Sequence, residues 1–196
     1  MTNEKGLPRI YADANMFIEL GAFAKRLHNP MRENDIWFFR QVLKAHEDGH
    51  IEVCTSSISI AECTHVKDKT DPDHAKAICD PDVQEFFRSL ITSGSLVTLV
   101  QDSIFVAEKA RDLYWKHDLK LKGMDAIHVA SALDAECREF LTWDSDMDNE
   151  YTKRKIEALK ELKLHIMRPS ESELLPAQYR QAVLSYDKRK AKSITQ

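Results

Sequence analysis

Short apolar segments that alternate with amphipathic ones are the feature that most constrains the fold of this chain. Five segments have the length and apolar character of buried strands: residues 9–12, 51–55, 96–100, 140–142 and 164–167. The stretches between them have the length and apolar spacing of helices. Strands that alternate with helices predict an α/β fold, in which helices cover both faces of a parallel sheet.

The helical segments are recognised by apolar residues that recur every three or four positions. In one of them, Ile36, Phe39 and Leu43 fall on a single face, and Asn34 or Asp35 suits its N-cap. Further helices are predicted over residues 14–27, 83–91, 103–117, 124–136 and 151–162.

The overall composition is that of one globular domain. The chain has 196 residues, of which 43% are hydrophobic and 31% charged, and no apolar run approaches the roughly 20 residues of a membrane span. Its four cysteines form no C-x-x-C pair, which argues against a zinc ribbon or a disulfide framework. Reduced thiols, together with a start that lacks the apolar core of a secretory signal, favour a cytoplasmic location.

The end of the sequence differs from the rest in charge. From Pro176 onward, five basic residues are accompanied by a single acid, Asp187. We predict a domain over residues 1–168 and a basic helical extension or tail over residues 169–196. The net charge of −4 counts mildly against nucleic-acid binding, although acids that hold divalent cations add negative charge without repelling phosphate.

Four acidic residues occupy positions that suit a functional site. Asp13 and Asp144 each follow a predicted strand, and ligands of parallel sheets bind at the carboxyl ends of strands. Glu62 and Asp125 lie on otherwise apolar segments, where a carboxylate is costly unless it is paired or metal-bound. Each acid has an ordinary alternative, since Asp13 and Asp125 suit helix caps. Glu62 suits a solvated helix face, and Asp144 suits a solvated loop.

If these acids converge, they require cations. Two carboxylates about 4 Å apart repel by roughly 4 kcal/mol at an effective dielectric constant of about 20. Hard oxygen ligands select Mg²⁺ or Mn²⁺ over zinc. A pair of such ions activates water and stabilises the leaving oxygen in phosphodiester hydrolysis. The acids therefore point to a metal-dependent nuclease.

Four segments resemble the motifs of the PIN-domain family of metal-dependent nucleases. They are YADAN (11–15), SSISIAE (56–62), MDAIHVASAL (124–133) and LTWDSD (141–146). The third is the most specific, and the order and spacing of all four support it. The resemblance covers residues 9–167. It implies a three-layer α/β/α sandwich with a central, mostly parallel sheet.

The resemblance also implies an activity and partners. It implies Mg²⁺ or Mn²⁺ as cofactor and hydrolysis of RNA that leaves a 5′-phosphate. The nearest compact relatives are VapC-like toxin ribonucleases, which pair with an antitoxin protein and form homodimers. This chain has extra polar sequence near residues 67–82 and an added tail. The resemblance therefore predicts nuclease chemistry more directly than a toxin role.

The resemblance assigns roles to particular side chains. Asp13, Asp125 and Asp144 are predicted to bind the first metal ion. Glu62 is predicted to orient the attacking water or to bind a second ion. Three further residues are predicted to support these acids or to replace one as a ligand: Asn15, Thr142 and Asp146. His128 lies one helical turn beyond Asp125, yet we expect a satisfied core histidine there and not a ligand.

Basic residues precede the third motif. Lys116, Lys120 and Lys122 lead toward Asp125 and are candidates for contacts with RNA phosphates, with a solvated helix end and loop as the alternative.

Two other functions remain open at this point. A haloacid-dehalogenase-like phosphatase also begins with a strand that ends in Asp, but it needs a second acid where this chain has Asn15. A PIN-like scaffold that binds RNA or protein without cutting is the non-enzymatic alternative.

Overall fold

The computed structural model describes residues 6–70, 76–143 and 157–180. Within these ranges, five strands form one sheet: β1 (Arg9–Ala12), β2 (Glu52–Ser56), β5 (Thr98–Val100), β6 (Glu139–Leu141) and β7 (His165–Met167). Their order across the sheet is β5-β2-β1-β6-β7, and every neighbouring pair is parallel. Two short antiparallel strands, β3 (Val66–Lys67) and β4 (Ala77–Ile78), form a separate hairpin.

Helices connect these strands. They are α1 (Ala14–Ala24), α2 (Glu33–Glu47), α3 (Ile58–Glu62), α4 (Pro81–Phe87), α5 (Ile104–His117), α6 (Gly123–Asp134) and α7 (Ala177–Arg180). Short turns of other helical types cover Pro30–Arg32, Arg88–Thr92 and Pro169–Glu171, and residues 157–161 are also helical. No helix in the described ranges combines the length and the apolar character that crossing a membrane requires.

Buried side chains on the two faces of the sheet form two separate clusters. Successive residues of a strand point to opposite faces, so Ile10 and Ala12 of β1 join one cluster, while Tyr11 joins the other. The first cluster includes buried residues of α1, α2 and α4, and the second includes those of α5 and α6. Helices therefore cover both faces of a parallel sheet, which confirms the predicted α/β/α sandwich.

Some local predictions were wrong at the ends of helices. Asn34 and Asp35 lie inside α2, because a turn over Pro30–Arg32 precedes that helix, and Asn29 caps the turn by accepting a hydrogen bond from the Met31 N–H at 2.9 Å. Ile36, Phe39 and Leu43 are nevertheless buried together, as their spacing predicted. The apolar face was readable from the sequence, whereas the start of the helix was not.

The described part of the C-terminal tail packs against the body of the domain. Glu139 of β6 is buried, and its carboxylate accepts hydrogen bonds from the Ser172 hydroxyl (2.6 Å) and from the backbone N–H groups of Glu173 (2.7 Å) and Leu174 (2.8 Å). Tyr179 joins the same core cluster as α2. The domain boundary at residue 168 stays a prediction, and residues 181–196 lie outside the described ranges.

Replacing Glu139 by Ala should destabilise the protein by about 2–4 kcal/mol, because the change leaves three donors without their charged acceptor. Equilibrium urea unfolding measures this difference. Glu161→Ala, at an exposed glutamate in the described part of the chain, is the matched control and should change the free energy of unfolding by less than about 0.5 kcal/mol. Equal effects of the two substitutions would contradict this account of the tail.

Candidate active site

The first motif places Asp13 at the carboxyl edge of the sheet. Asp13 follows β1 directly and is the N-cap of α1, where its Oδ1 accepts a hydrogen bond from the Ala14 N–H at 2.8 Å. Its backbone N–H donates to the Leu141 carbonyl on β6 at 3.0 Å. Asp13 is therefore a helix cap, which was the ordinary alternative for this residue, and its role in catalysis stays a prediction.

A hydrogen-bonded network holds Asp13 from the side of β6. The Thr142 hydroxyl donates to Asp13 Oδ2 at 2.9 Å, and Asn15 Nδ2 donates to Thr142 Oγ1 at 2.9 Å. Asn15 Oδ1 in turn accepts from the Trp143 N–H at 3.2 Å. Two residues that the sequence indicated as supports, Asn15 and Thr142, thus lie beside Asp13 and fix its orientation.

A second series of hydrogen-bonded side chains brings Glu62 close to Asp13. His128 Nε2 lies 2.6 Å from Glu62 Oε2 and 3.8 Å from Asp13 Oδ1, so the two carboxylates flank one imidazole. His128 Nδ1 lies 2.7 Å from the Tyr11 hydroxyl, which accepts a hydrogen bond from the Ser56 N–H at 2.8 Å. Residues from β1, β2, α3 and α6 therefore meet at one point.

The hydrogen bonds in this series of residues indicate which ring nitrogen of His128 carries the proton. Because the Tyr11 oxygen accepts from the backbone of Ser56, its own hydrogen is available for His128 Nδ1. A hydrogen on Nε2 is then directed at Glu62. His128 is the buried, satisfied histidine that the sequence analysis expected, but its partner is a site carboxylate, which spacing alone did not show.

Burial raises the pKa of Asp13 above its ordinary value. The neighbouring His128 and the hydrogen bonds from Thr142 and Ala14 lower this pKa, and the Glu62 carboxylate raises it. Only 19% of the Asp13 side chain is exposed, so water screens these charges weakly. The site therefore holds a carboxylate whose ionisation is opposed by its surroundings.

Among the described residues, the structure does not join Asp125 to Asp13 and Glu62 in one cluster suited to a metal ion. Asp125 is exposed in the first turn of α6, and its side chain takes part in none of the hydrogen bonds and ion pairs found within the described ranges. Within the same ranges, no group of three or more His, Cys, Asp or Glu side chains has a geometry suited to a metal ion. Asp144 and Asp146 lie outside the described residues, so these two assignments remain predictions.

The basic residues before α6 are all exposed. Lys116 forms an ion pair with Asp112 at 2.7 Å, and Lys120 lies 3.8 Å from Asp118. Lys122 occupies the N-cap position of α6, three residues before Asp125. Of the three lysines, Lys122 is nearest in sequence to Asp125 and His128 on α6.

Asp102 is an acid near the candidate site that the sequence analysis did not select. Asp102 accepts hydrogen bonds from the hydroxyls of Ser56 (2.6 Å) and Ser57 (2.5 Å), which precede the helix that carries Glu62. Asp102 follows the end of β5 by two residues. Its place after a strand was the same signal that selected Asp13, so the sequence contained the information.

The protein is a parallel α/β sandwich. Its candidate site consists of carboxylates at the carboxyl ends of the strands, where ligands of such sheets bind. Residues 10–153 match the PIN domain family, and the chain belongs to that family. PIN domains are typically nucleases and generally use divalent metal ions. A search of curated proteins found no match.

The raised pKa of Asp13 predicts a pH dependence of stability. The unfolded chain loses this proton first as pH rises, so the stability of the wild type relative to Asp13→Asn should fall as the pH rises above about 4, the ordinary pKa of an Asp side chain. Urea unfolding of both proteins at a series of pH values from about 4 upward, in EDTA, measures the difference. A difference that rises with pH would show that the carboxylate is stabilised by its surroundings.

The buried hydroxyl of Tyr11 should matter for stability. Tyr11→Phe leaves the Ser56 N–H without its acceptor and should cost about 1–3 kcal/mol of unfolding free energy. Tyr179→Phe is the matched control, because that hydroxyl bonds to the exposed Asp48 carboxylate, and its loss should cost at most about 1 kcal/mol. Thermal and urea unfolding of the two variants distinguish these outcomes.

Proposed function

We propose that this PIN domain is a Mg²⁺- or Mn²⁺-dependent endoribonuclease whose site is formed by Asp13, Glu62, Asp125 and Asp144. The observation that carries the proposal is the approach of the Asp13 and Glu62 carboxylates to the same imidazole nitrogen at the carboxyl edge of the sheet. Ligands of parallel α/β sheets bind at this edge, and PIN domains are typically nucleases, which supports a site for phosphodiester hydrolysis here.

The donors present suit a hard cation. Asp13 and Glu62 supply carboxylate oxygens, the ligands that Mg²⁺ and Mn²⁺ prefer. Asp125, one helical turn before His128, would supply another from the first turn of α6, and Asp144 would supply a fourth. A bound ion would activate water and neutralise phosphate charge in phosphodiester hydrolysis.

The remaining residues of the site have supporting roles in this proposal. Thr142 and Asn15 hold the Asp13 carboxylate in a fixed orientation. His128 holds Glu62 through its Nε2 hydrogen and is itself held by Tyr11. Held in this position by His128, Glu62 is suited to orient the water that attacks phosphorus.

RNA is the proposed substrate, and an antitoxin protein is the proposed partner if the chain is a toxin. Lys122 supports phosphate binding because it is exposed at the N-cap of the helix that carries Asp125. The toxin role rests on the sequence resemblance alone. Growth arrest on expression, relieved by the product of an adjacent gene, is the observation that would support it.

The proposal is tested by metal binding and RNA cleavage in parallel. Purified wild type should cleave a mixed RNA pool in Mn²⁺ or Mg²⁺, and sequencing should find 5′-phosphates at the cut ends. Mn²⁺ at about 100 times its dissociation constant should stabilise the fold by about 2.7 kcal/mol. Asp13→Asn, Asp125→Asn and Asp144→Asn should each lower cleavage at least about 100-fold, since ligand loss removes the ion's contribution.

Asp134→Asn is the matched control on the same helix as Asp125. Asp134 is paired with Lys109 at the other end of α6, so its loss should leave both cleavage and the Mn²⁺ effect unchanged. The exposure of Asp125 keeps one other function in view, a PIN scaffold that binds without cutting. No cleavage, together with an Mn²⁺ effect that is absent or survives Asp125→Asn, would overturn the nuclease proposal and favour the scaffold.

A further inference from the structure

Asp102 is an acidic residue outside the proposed set of four, and it is bonded to the segment that leads to Glu62. It follows β5, which pairs in parallel with β2. The Asp102 carboxylate accepts the Ser56 hydroxyl at Oδ1 (2.6 Å) and the Ser57 hydroxyl at Oδ2 (2.5 Å). Both lengths are typical of charge-assisted hydrogen bonds, so this carboxylate holds the junction between β2 and α3.

Further hydrogen bonds fix the backbone at this junction. The Ser57 N–H donates to the Val100 carbonyl at the end of β5 (3.0 Å), and the Asp102 N–H donates to Ser57 Oγ (3.4 Å). The Ile58 N–H donates to Ser56 Oγ at 3.1 Å, so one hydroxyl connects Asp102 with the first residue of α3. The start of α3 is therefore held to the end of β5.

Both ring nitrogens of His128 are held by groups that depend on this segment. On one side, the Ser56 N–H donates to the Tyr11 hydroxyl (2.8 Å), whose own hydrogen is directed at His128 Nδ1 (2.7 Å). On the other side, His128 Nε2 lies 2.6 Å from Oε2 of Glu62, the last residue of α3. A shift of the junction between β2 and α3 would therefore displace the partners of both nitrogens.

We propose that Asp102 is a positioning residue of the candidate active site. By holding the two serine hydroxyls it fixes the start of α3, and through α3 and Tyr11 it fixes Glu62 and the His128 ring. The consequence for catalysis rests on the proposed nuclease function. The consequence for the His128 ring does not, because it follows from the hydrogen bonds alone.

Asp102 can be replaced without opening a cavity, because it is exposed, whereas Ser56 is buried. Asp102→Ala leaves the two serine hydroxyls without their acceptor and frees the start of α3. Asp102→Asn removes the charge but keeps a hydrogen-bonding group on both branches, an oxygen that accepts one hydroxyl and an N–H that donates to the other. The two variants therefore separate a geometric role from a purely electrostatic one.

The His128 ring tests the proposal without any activity. Long-range proton–nitrogen correlation spectra of the full chain, in EDTA at one fixed pH, should show a single tautomer with its hydrogen on Nε2. The His128 signals are identified by their absence in His128→Gln. Asp102→Ala should shift both nitrogen signals toward an average of the two tautomers, whereas Asp102→Asn should keep the wild-type positions.

Cleavage of RNA tests the consequence for catalysis. Asp102→Ala should lower kcat about tenfold or more and leave KM within about threefold, because misplacing Glu62 disturbs the reacting geometry and leaves RNA binding intact. Asp102→Asn should stay within about threefold of the wild type in both constants. The double variant Asp102→Ala with Ser57→Ala should be no more than about threefold slower than Asp102→Ala, since both changes interrupt one connection.

Asp48→Ala is the matched control. Asp48 is also exposed and also accepts a hydroxyl hydrogen bond, from Tyr179 at 2.5 Å, but it lies just before β2, at the opposite edge of the sheet. Its loss should leave the His128 signals and kcat unchanged. Thermal midpoints show that each variant is folded. If Asp102→Ala does not fold, Ser57→Ala removes one of the same contacts and should shift the His128 signals in the same direction.

Three outcomes overturn the proposal. The first is a His128 spectrum that Asp102→Ala leaves unchanged. The second is an Asp102→Asn variant that behaves like Asp102→Ala, since charge and not geometry would then explain the effect. The third is an active wild type whose kcat is unaffected by Asp102→Ala. A wild type that cleaves no RNA contradicts the nuclease function instead, and the His128 spectra then decide the positioning role by themselves.

Discussion

The position of β1 between β2 and β6 is the constraint on which the rest of the structure depends. In the parallel register, Tyr11 is paired with Cys54 on one side and with Phe140 on the other, so the three strands end at one edge. The polar segments that follow them are therefore brought together whatever their separation in sequence. Asp13 and Thr142 are 129 residues apart and are hydrogen-bonded because their strands are neighbours.

Tyr11 links the buried core to the site. Its ring stacks on Phe140 with centroids 5.0 Å apart, inside the cluster on the α5–α6 side of the sheet, while its hydroxyl reaches His128. Rigid packing of the ring thus sets the position of an imidazole, and the imidazole sets the position of Glu62. An aromatic residue with a polar tip suits such a link, since its body belongs to the core and its oxygen satisfies polar groups.

Local patterns in the sequence predicted the layers of the fold but only part of the site. The strands and apolar faces follow from periodicities of two and of 3.6 residues, which neighbouring residues determine. Asp13 was predictable because it follows a strand. Asn15 was predictable because it belongs to the same motif as Asp13, and Thr142 because it directly follows another strand of the sheet. The exposure of Asp125 and the contact of His128 with Glu62 depend on side-chain orientation and on helix packing, which no local pattern specifies.

The electrostatics of the site explain why a fold would retain such an arrangement. Burial and Glu62 oppose the ionisation of Asp13, whereas His128 and the hydrogen bonds from Thr142 and Ala14 favour it. A buried carboxylate that its surroundings only partly stabilise retains affinity for an added cation, whereas a carboxylate saturated by Arg or Lys loses it. In the proposed metal site, preorganisation of this kind would lower stability and raise cation affinity through the same interaction, because a cation would offset the burial and the repulsion that disfavour the charged carboxylate.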